Sequence, residues 1–490
     1  MNKPIPLSLV RDAGDSLYAA QPKVYPREID GRFARLRLAA VFVLLGLFYI
    51  VPWLRWEGRQ AVLFDLPARK FYVLGLTFWP QDFFLLTCLL VIAGISLFFF
   101  TALAGRLWCG YACPQTVWTE VFLWIERWCE GRRNLRIKLD AGLWTREKLL
   151  RKAAKQFIWI ALAAWTGFTF VGFFTPITDL AREAATLSFG GWEAFWVVFY
   201  GFATYGNAGF MREQVCKYMC PYARFQSAMF DRDTLIVSYD VARGEPRGAR
   251  KRSVPSVLAR DTARATDAAA DAPSVSTLPS ALSPGLGDCV QCEACVQVCP
   301  TGIDIRNGLQ IDCIACAGCI DACDAVMDKM GYPRGLVRYT TENMLAGRPR
   351  RIVRPRTLIY AAILGALLLA FAWGVGHRQP LIVDVLHDRN ALYRETSGGG
   401  IENGYTLKLV NKTDRVQHLQ VEIEDDAPLH IAGASGIVVE AGQVANVPLT
   451  LRADDGARWR GKHHVELVVR SADDSIRVEH KTQFFAPEAK

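Results

Sequence analysis

Long apolar runs, separated by stretches rich in arginine and lysine, occupy much of the chain before residue 376. Five of these runs reach the ~17 to 25 residues that an α-helix needs to cross a lipid bilayer. Tryptophan, tyrosine or arginine lies at the edges of each run, as is typical of helices anchored at the membrane surface. The pattern predicts an α-helical bundle of five transmembrane spans, at residues 38–54, 83–104, 157–176, 192–210 and 357–375.

The basic residues between the runs predict which side of the membrane each segment faces. Arginine and lysine are concentrated in segment 105–155 and again just before the fifth run, at 348–356. Short loops that remain in the cytoplasm carry the excess of basic residues. We therefore expect the N-terminal segment 1–37 and both basic segments to be cytoplasmic, and the C-terminal region to lie on the other side.

After the fifth run the pattern changes to a short alternation of apolar and polar residues. Leu419, Val421 and Ile423 alternate with polar side chains, and similar stretches occur near 405–410, 465–469 and 476–478. Such stretches, separated by glycine and aspartate turns, are typical of strands in an antiparallel sandwich. We predict an immunoglobulin-like domain over residues 377–490.

Composition agrees with a multi-domain membrane protein. The chain has 490 residues, 51% of them hydrophobic, and a formal net charge of +9. The positive charge lies at the ends of apolar runs, which indicates membrane topology and no nucleic-acid partner. All 14 cysteines precede residue 324, so no disulfide scaffold is expected in the C-terminal domain.

Eight cysteines repeat the spacing Cys-x2-Cys-x2-Cys-x3-Cys twice, in 289–299 and 313–323. In bacterial ferredoxins with two clusters, the fourth cysteine of each run binds the other cluster. The alternatives are a structural zinc site or a disulfide framework. Pro300 follows the first run as in ferredoxins, whereas Asp324 follows the second. We assign Cys289, Cys292, Cys295 and Cys323 to one [4Fe-4S] cluster, and Cys313, Cys316, Cys319 and Cys299 to the second.

A second cysteine motif, Cys-x-Tyr-x-Cys-Pro, occurs once after the second span and once after the fourth. The copies contain Cys109 and Cys113 in one case and Cys216 and Cys220 in the other. A proline disfavours helical backbone in the residue before it and suits the first position of a new helix. We therefore expect a helix break at each second cysteine, and convergence of the four thiols if the two halves pack face to face.

The chemistry of these four thiols has several possible forms. In a reducing compartment a soft-metal site or a redox pair is favoured over a permanent disulfide, and Cu(I) prefers thiolate ligands. The alternatives are a third iron–sulfur centre or simple packing of small residues at helix ends. The two pairs meet either within one chain or across a homodimer. Cys88 and Cys129 have no partner at a metal-binding spacing, and we interpret both as structural.

Several redox cofactors are disfavoured by the sequence. All seven histidines lie beyond the fifth span, so none can bind haem within the bundle. No cysteine is followed by histidine, so c-type haem attachment is not expected. The chain also has no complete dinucleotide-binding fingerprint.

Taken together, the motifs predict six segments. They are a cytoplasmic N-terminal segment (1–37), a four-span membrane domain with both Cys-x-Tyr-x-Cys-Pro motifs (38–240), a flexible linker rich in alanine, serine and proline (241–287), a two-cluster ferredoxin domain (288–345), a fifth transmembrane helix (357–375) and the immunoglobulin-like domain (377–490).

With this layout, the sequences GRLWCGYACPQTVW, REQVCKYMCPYARFQSAMFD and CPTGIDIRNGLQIDCIACAGCIDACDAVMDKMGYPRGLVRY resemble the cytochrome c oxidase accessory proteins called CcoG, FixG or RdxA. The resemblance covers nearly the whole chain, and Asp324 fits that family. It implies a cupric reductase of the bacterial inner membrane that supplies Cu(I) for cbb3-type oxidases. The ferredoxin domain would then be cytoplasmic and the C-terminal domain periplasmic.

The resemblance also implies roles and partners. The eight ferredoxin cysteines would carry electrons from an unidentified donor, and Cys109, Cys113, Cys216 and Cys220 would handle copper as substrate or transient ligand. Cu(I) would pass to a copper exporter, a copper chaperone or oxidase assembly factors.

Two other functions are consistent with the sequence. A quinol dehydrogenase of the nitrate or nitrous oxide pathway type has a similar layout, and Glu120 or Glu126 would then accept a proton. A non-catalytic assembly scaffold is the other alternative, in which the clusters only sense redox state.

Overall fold

The computed structural model describes residues 23–249, 286–388, 391–396, 399–413, 415–424, 428–433, 436–454 and 459–488. Residues 1–22 of the predicted N-terminal segment lie outside the described residues. So does most of the predicted linker 241–287, of which only 241–249 and 286–287 are described.

Helices long and apolar enough to span a membrane confirm the predicted class of the fold. By length and composition four meet this condition among the described residues, at Arg32–Trp53, Phe83–Ala104, Arg146–Val171 and Pro355–Gly376. The predicted fourth span is α-helical over the 14 residues Gly191–Thr204. It then continues as a π-helix over the seven residues Tyr205–Met211. The fourth span is therefore α-helical over fewer residues than the other four spans.

The third span helix starts earlier than the hydrophobic run predicted, at Arg146 instead of residue 157. Its first turns contain Lys148, Lys152 and Lys155, which hydropathy alone assigns to solvent. Lys152 and Lys155 form ion pairs with the buried carboxylate of Glu130, at 3.0 and 2.7 Å. Because these cations have buried partners, the helix continues through a segment that is too polar for a bilayer.

Shorter helices connect the spans and form the cysteine-rich region. The α-helices are Leu107–Tyr111, Pro114–Glu130, Arg133–Ala141, Ile177–Thr186, Pro221–Met229, Val241–Gly244, Ala294–Gln297, Gly318–Met330 and Glu342–Leu345. The other helices among the described residues are the π-helix Val215–Met219 and the 3-10 helices Val51–Trp53, Pro80–Asp82 and Ile305–Asn307.

The described residues form two compact units. The first contains described residues within 1–48, 97–168 and 194–359, and therefore both Cys-x-Tyr-x-Cys-Pro motifs and the predicted ferredoxin segment 288–345. The second contains residues 49–96, 169–193 and described residues within 360–490. The two predicted redox regions thus belong to one body.

In the first unit, a two-stranded antiparallel sheet pairs Ile236–Tyr239 with Val337–Thr340. It packs with the helix Gly318–Met330 around a small core that includes Ile320, Met327 and Leu336. The buried carboxylate of Asp321 accepts hydrogen bonds from the backbone N–H groups of Phe33 and Ala34, at 3.3 and 2.8 Å. These N–H groups begin the first span helix and have no partner within it, so Asp321 caps that helix.

The second unit contains the predicted C-terminal sandwich, which the structure confirms. One antiparallel sheet has the strand order His430–Ala432, Val444–Ala453, Ile401–Asn411 and Leu381–His387, with Arg394–Glu395 paired to Ile401–Asn411. The other has the order Ile437–Val439, Gln417–Ile423, Lys462–Ser471 and Arg477–Phe485. Short strands at Arg55–Trp56, Arg59–Gln60, Val62–Asp65, Lys70–Val73 and Leu76–Phe78 lie between the first two spans.

The two sheets of the sandwich are joined by an apolar core and by a few buried polar groups. Leu407, Leu467 and Phe484 are fully buried between them. The amide of Asn403 donates to the carbonyl oxygen of Phe485 at 2.8 Å and accepts from its N–H at 2.9 Å. The core thus needs no disulfide, in agreement with the cysteine-free sequence after residue 323.

Candidate metal centres

The eight ferredoxin cysteines line two neighbouring cavities. Cys289, Cys292, Cys295 and Cys323 line the first cavity. Cys299, Cys313, Cys316 and Cys319 line the second, together with Cys295. The fourth cysteine of each run therefore lies with the other run, which is the arrangement of two-cluster ferredoxins.

The two cysteine loops share an unusual backbone. Gln291 and Glu293 have φ angles of 52° and 56°, and the corresponding Ala315 and Ala317 have 53° and 59°. Positive φ is uncommon for residues other than glycine, so its recurrence at matching positions indicates one loop shape made twice. A loop of this shape turns three cysteines inward around a common centre. The shape and the thiol donors both fit a [4Fe-4S] cluster in each cavity.

Seven of the eight cysteines are buried or partly buried, and Cys292 of the first cavity is exposed. Burial raises the pKa of the Cys295, Cys323 and Cys313 thiols to about 12 and that of Cys319 well above its ordinary value. These thiols are protonated at neutral pH without a metal, so metal binding must release protons.

Asp324, which replaces the second ferredoxin proline, has a structural partner. Its carboxylate accepts a hydrogen bond from the backbone N–H of Gly335, at 2.9 Å. Burial raises the pKa of Asp324, an effect that this hydrogen bond opposes. The aspartate thereby ties the helix Gly318–Met330 to the chain that follows it.

Each Cys-x-Tyr-x-Cys-Pro motif lies at a break between two helices. Cys113 has extended backbone, with φ −63° and ψ 127°, and directly precedes the helix Pro114–Glu130. Cys220 is likewise extended, with φ −78° and ψ 108°, and precedes Pro221–Met229. Proline starts the following helix in both copies, as its missing N–H allows.

The structure brings the two copies of this motif together within one chain. Burial raises the pKa of the Cys109 thiol to about 12, and Cys113, Cys216 and Cys220 add to this shift because all lie within electrostatic range. Burial also raises the pKa of Cys216 to about 11, with Cys113 and Cys220 contributing. The Cys109 thiol donates to the side-chain oxygen of Gln226, at 3.3 Å.

Both motifs contact the loop of the second cavity through residues next to the thiol group, meaning Cys109, Cys113, Cys216 and Cys220. A Cβ atom added at Gly110 would lie 2.9 Å from the carbonyl oxygen of Ala315 and from the Cα of Cys316. On the side of the second copy, Lys217 forms an ion pair with Asp312, at 3.7 Å. Both copies of the motif therefore contact residues 312–316. These residues lie between the thiol group and the second cavity.

A small cavity of about 40 Å³ opens beside this thiol group. Its walls include Cys216, Glu213 and Glu120, together with Arg37 from the first span helix and Ile314 from the loop of the second cavity. Sequence analysis singled out Glu120, but only as a proton acceptor in the quinol alternative. Glu213 stands three residues before Cys216, and only its spacing from that cysteine could have identified it.

A buried network of charges lies next to the thiol group, and sequence reasoning did not find it. The carboxylate of Glu126 is fully buried and accepts from the guanidinium of Arg212 at 2.6 Å. Burial alone would raise the pKa of Glu126, but Arg212 and three further cations outweigh it and lower that pKa. Glu126 therefore stays ionised at neutral pH and does not suit the role of proton acceptor.

The remaining cysteines lie apart from these centres. Cys88 is buried in the second span helix, with its sulfur 3.7 Å from the carbonyl oxygen of Leu367. Cys129 is partly exposed near the end of the helix Pro114–Glu130.

Comparison with known protein families agrees with this arrangement. A family described as a 4Fe-4S dicluster domain matches residues 211–275 and 275–342. A family described as a 4Fe-4S binding domain matches residues 82–136, which include Cys109 and Cys113. The IG-like fold at the C-terminus of FixG matches residues 371–487. Iron–sulfur families thus match the thiol motifs as well as the ferredoxin loops.

Curated relatives match over nearly the whole chain. Protein RdxB of Cereibacter sphaeroides is 38% identical over 489 residues, which cover 96% of this chain and 97% of that protein. The nitrogen fixation protein FixG of Rhizobium meliloti is 36% identical and covers 96% and 94%. Protein RdxA of Cereibacter sphaeroides is 37% identical and covers 90% and 92%.

A solved structure also matches part of the chain. The crystal structure of a FixG-related protein from Vibrio parahaemolyticus is 29% identical, with a TM-score of 0.21. It covers 22% of this chain and 98% of its own.

Proposed function

Because the chain belongs to the family of FixG, RdxA and RdxB and is an iron–sulfur protein of the oxidoreductase type, we propose that it is a cupric reductase. In this function the thiol group, Cys109, Cys113, Cys216 and Cys220, receives Cu(II) and holds the product Cu(I). The observation that carries the proposal is that both thiol motifs contact residues 312–316 of the second cavity, through Gly110 in one copy and Lys217 in the other.

The chemistry of the residues fits this reaction. When bound, [4Fe-4S] clusters in the two cavities supply single electrons, and Cu(II) needs one electron to become Cu(I). Thiolate is a soft ligand that favours Cu(I) over Cu(II), so binding to cysteines of the thiol group would stabilise the product. Gly110, next to the partly exposed Cys109, is buried against the loop of the second cavity, so the two centres lie close together at this point.

The location and partners of the protein form part of the same proposal. We place it in the bacterial inner membrane, with the cysteine-rich unit in the cytoplasm and the C-terminal sandwich in the periplasm. An unidentified donor reduces the clusters. Cu(I) then passes to a copper exporter or copper chaperone and on to assembly of a cbb3-type oxidase. The thiol group meets within one chain, so a homodimer is not required for the reaction.

A direct test uses purified, anaerobic protein with intact clusters. After chemical reduction, we expect Cu(II) to reoxidise the clusters, with Cu(I) formed in equal amount, whereas a soluble quinone does so at least about tenfold more slowly. Serine at Cys109 and Cys216 should abolish Cu(I) formation but leave the cluster spectrum intact. Serine at Cys129, which lies apart from the thiol group, is the matched control. Faster oxidation by quinone would favour a quinol dehydrogenase, and undiminished Cu(I) formation in the double variant would overturn the proposal.

A second candidate is a third iron–sulfur centre at the thiol group, favoured by the match of a 4Fe-4S binding domain to residues 82–136. Iron and copper counts for each chain separate the two functions. A cupric reductase contains about eight irons from two [4Fe-4S] clusters and loses none when Cys113 and Cys220 become serine. A third centre predicts more iron in the native protein and a loss in that variant.

A further inference from the structure

Arg106 lies three residues before the first cysteine of the first Cys-x-Tyr-x-Cys-Pro motif and is only 4% exposed. Its guanidinium donates hydrogen bonds to the backbone carbonyl oxygens of Ile311, Cys313 and Ala223. The bond to Cys313 is 3.2 Å long. Ile311 and Cys313 belong to the loop of the second cavity, whereas Ala223 follows the second thiol motif. One side chain therefore ties together three segments that meet at the thiol group.

The charge of Arg106 is not neutralised locally. All of its hydrogen bonds go to neutral carbonyl groups, and among the described residues it forms no ion pair with a carboxylate. Its positive charge opposes the rise in the pKa of the Cys109, Cys216 and Cys313 thiols that burial produces. The guanidinium thus acts on the thiol group and on the second cavity at the same time.

The first cavity also has an arginine, but the charge of this arginine is neutralised by a carboxylate. Arg306 lines the cavity, but its guanidinium is held by both carboxylate oxygens of Asp304, at 2.8 and 2.7 Å. This pair carries little net charge. A cluster in the first cavity is therefore next to a neutral pair, and a cluster in the second is next to the unpaired charge of Arg106. Near Cys316, Arg37 adds to this positive charge and Glu120 opposes it.

From this contrast we propose that Arg106 is a positioning residue that sets the direction of electron transfer. A reduced cluster is more negative than an oxidised one, so an unpaired cation beside it favours reduction. The second cluster then has the higher reduction potential and is the one from which electrons leave. The carbonyl contacts of Arg106 hold that cluster's loop next to both Cys-x-Tyr-x-Cys-Pro motifs.

Exposure supports the same direction. Cys292 of the first cavity is the one exposed cysteine among the eight, so an external donor can approach the first cluster there. Each Cu(II) then takes up one electron and becomes one Cu(I). Only this last step rests on the proposed function. The duplicated motif has diverged at this position, because the residue that corresponds to Arg106 in the second copy is Glu213.

The test is a redox titration of the two clusters by electron paramagnetic resonance, with the full chain in detergent. In Arg106→Gln we expect the potential of the second cluster to become more negative and that of the first cluster to stay unchanged. Arg106→Lys keeps the charge but cannot reach three carbonyl groups at once. The lysine variant should retain the potential of the second cluster. It should slow oxidation of the reduced clusters by Cu(II) about tenfold, which corresponds to an activation barrier higher by about 1.4 kcal/mol. Arg132→Gln, at an exposed arginine of the same unit, is the control.

Arg306→Gln shows which resonance signal belongs to which cluster. It leaves Asp304 at the first cavity unpaired and should lower the potential of the first cluster. Iron content and the cluster spectra are measured for every variant. If Arg106→Gln leaves both potentials unchanged, or lowers both equally with intact iron, the proposal is wrong. These potentials do not involve copper, so they remain informative even if the protein fails to reduce Cu(II).

Discussion

The hydroxyl groups of Tyr111 and Tyr339 lie 3.4 Å apart. Tyr111 is the central residue of the first Cys-x-Tyr-x-Cys-Pro motif, and Tyr339 donates a 2.6 Å hydrogen bond to the carbonyl oxygen of Ala315. The pair thus links a thiol motif to the loop of the second cavity. Tyr218, the corresponding tyrosine of the second copy, is 59% exposed. The two motif tyrosines therefore differ in their surroundings, since Tyr111 is linked to this loop through Tyr339.

This asymmetry gives the first prediction. Tyr111→Phe removes the hydroxyl that meets Tyr339 and should slow Cu(II) reduction severalfold without loss of iron. Tyr218→Phe changes the largely exposed tyrosine of the second copy and should slow the reaction less. Stopped-flow oxidation of the reduced clusters by Cu(II) measures both rates. Equal effects of the two changes would contradict a special role for the Tyr111 contact.

A second prediction concerns Gly110. A Cβ at this position would lie 2.9 Å from the carbonyl oxygen of Ala315, and backbone cannot move away as a flexible side chain can. Gly110→Ala should therefore separate the thiol group from the second cavity and reduce the rate of copper reduction at least about tenfold. Gly94→Ala is the matched control, since no atom lies within 4 Å of its added Cβ. Normal activity in Gly110→Ala would show that this close approach is not needed.

The third prediction assigns cysteines to clusters. Cys323→Ser should disturb the cluster of the first cavity, and Cys299→Ser that of the second, because each cysteine lines the cavity of the opposite run. Each variant should lose up to about four irons and one of two distinct resonance signals. Loss of the same signal in both variants would mean that the crossed arrangement is wrong.

The buried ion pair of Glu126 and Arg212 leads to a fourth prediction. Arg212→Met removes the 2.6 Å partner of Glu126, which keeps Lys23 and Arg136 nearby, and should destabilise the protein by about 1.5 to 3 kcal/mol, the usual worth of a hydrogen bond to a charged group. Arg182→Met removes an exposed partner of Asp179 and should cost no more than about 1 kcal/mol. Thermal unfolding in detergent compares them. Similar unfolding temperatures for the two variants would argue against a structural role of the network.

The same carboxylate predicts a dependence of stability on pH. The pKa of Glu126 in the folded protein is lower than its ordinary value of 4.5. Its contribution to the free energy of unfolding is therefore complete above about pH 4.5 and is lost as the pH falls towards the folded pKa. The melting temperature of the native protein should decrease over this acidic range. Glu126→Gln should flatten that decrease, and an unchanged pH profile in the variant would assign acid sensitivity to other groups.

Much of the fold follows from local pattern. The lengths of the apolar runs predict the spans, because a helix must remain apolar across the whole bilayer. The alternation around Leu419 predicts a strand, and the structure has Gln417–Ile423 there. The start of the third span was predicted too late, since its lysines are neutralised by Glu130, which lies in a different helix.

The sequence by itself determined the cysteine spacing, the helix break at each proline and the lengths of the spans, because each depends on neighbouring residues along the chain. Only the tertiary structure decided that two motifs about a hundred residues apart meet at one point, and that Arg106 bridges them to the second cavity. It also decided that Glu126 is buried with Arg212. The physical reason is that such contacts depend on how helices pack, and packing brings together side chains whose local sequence gives no sign of their partner.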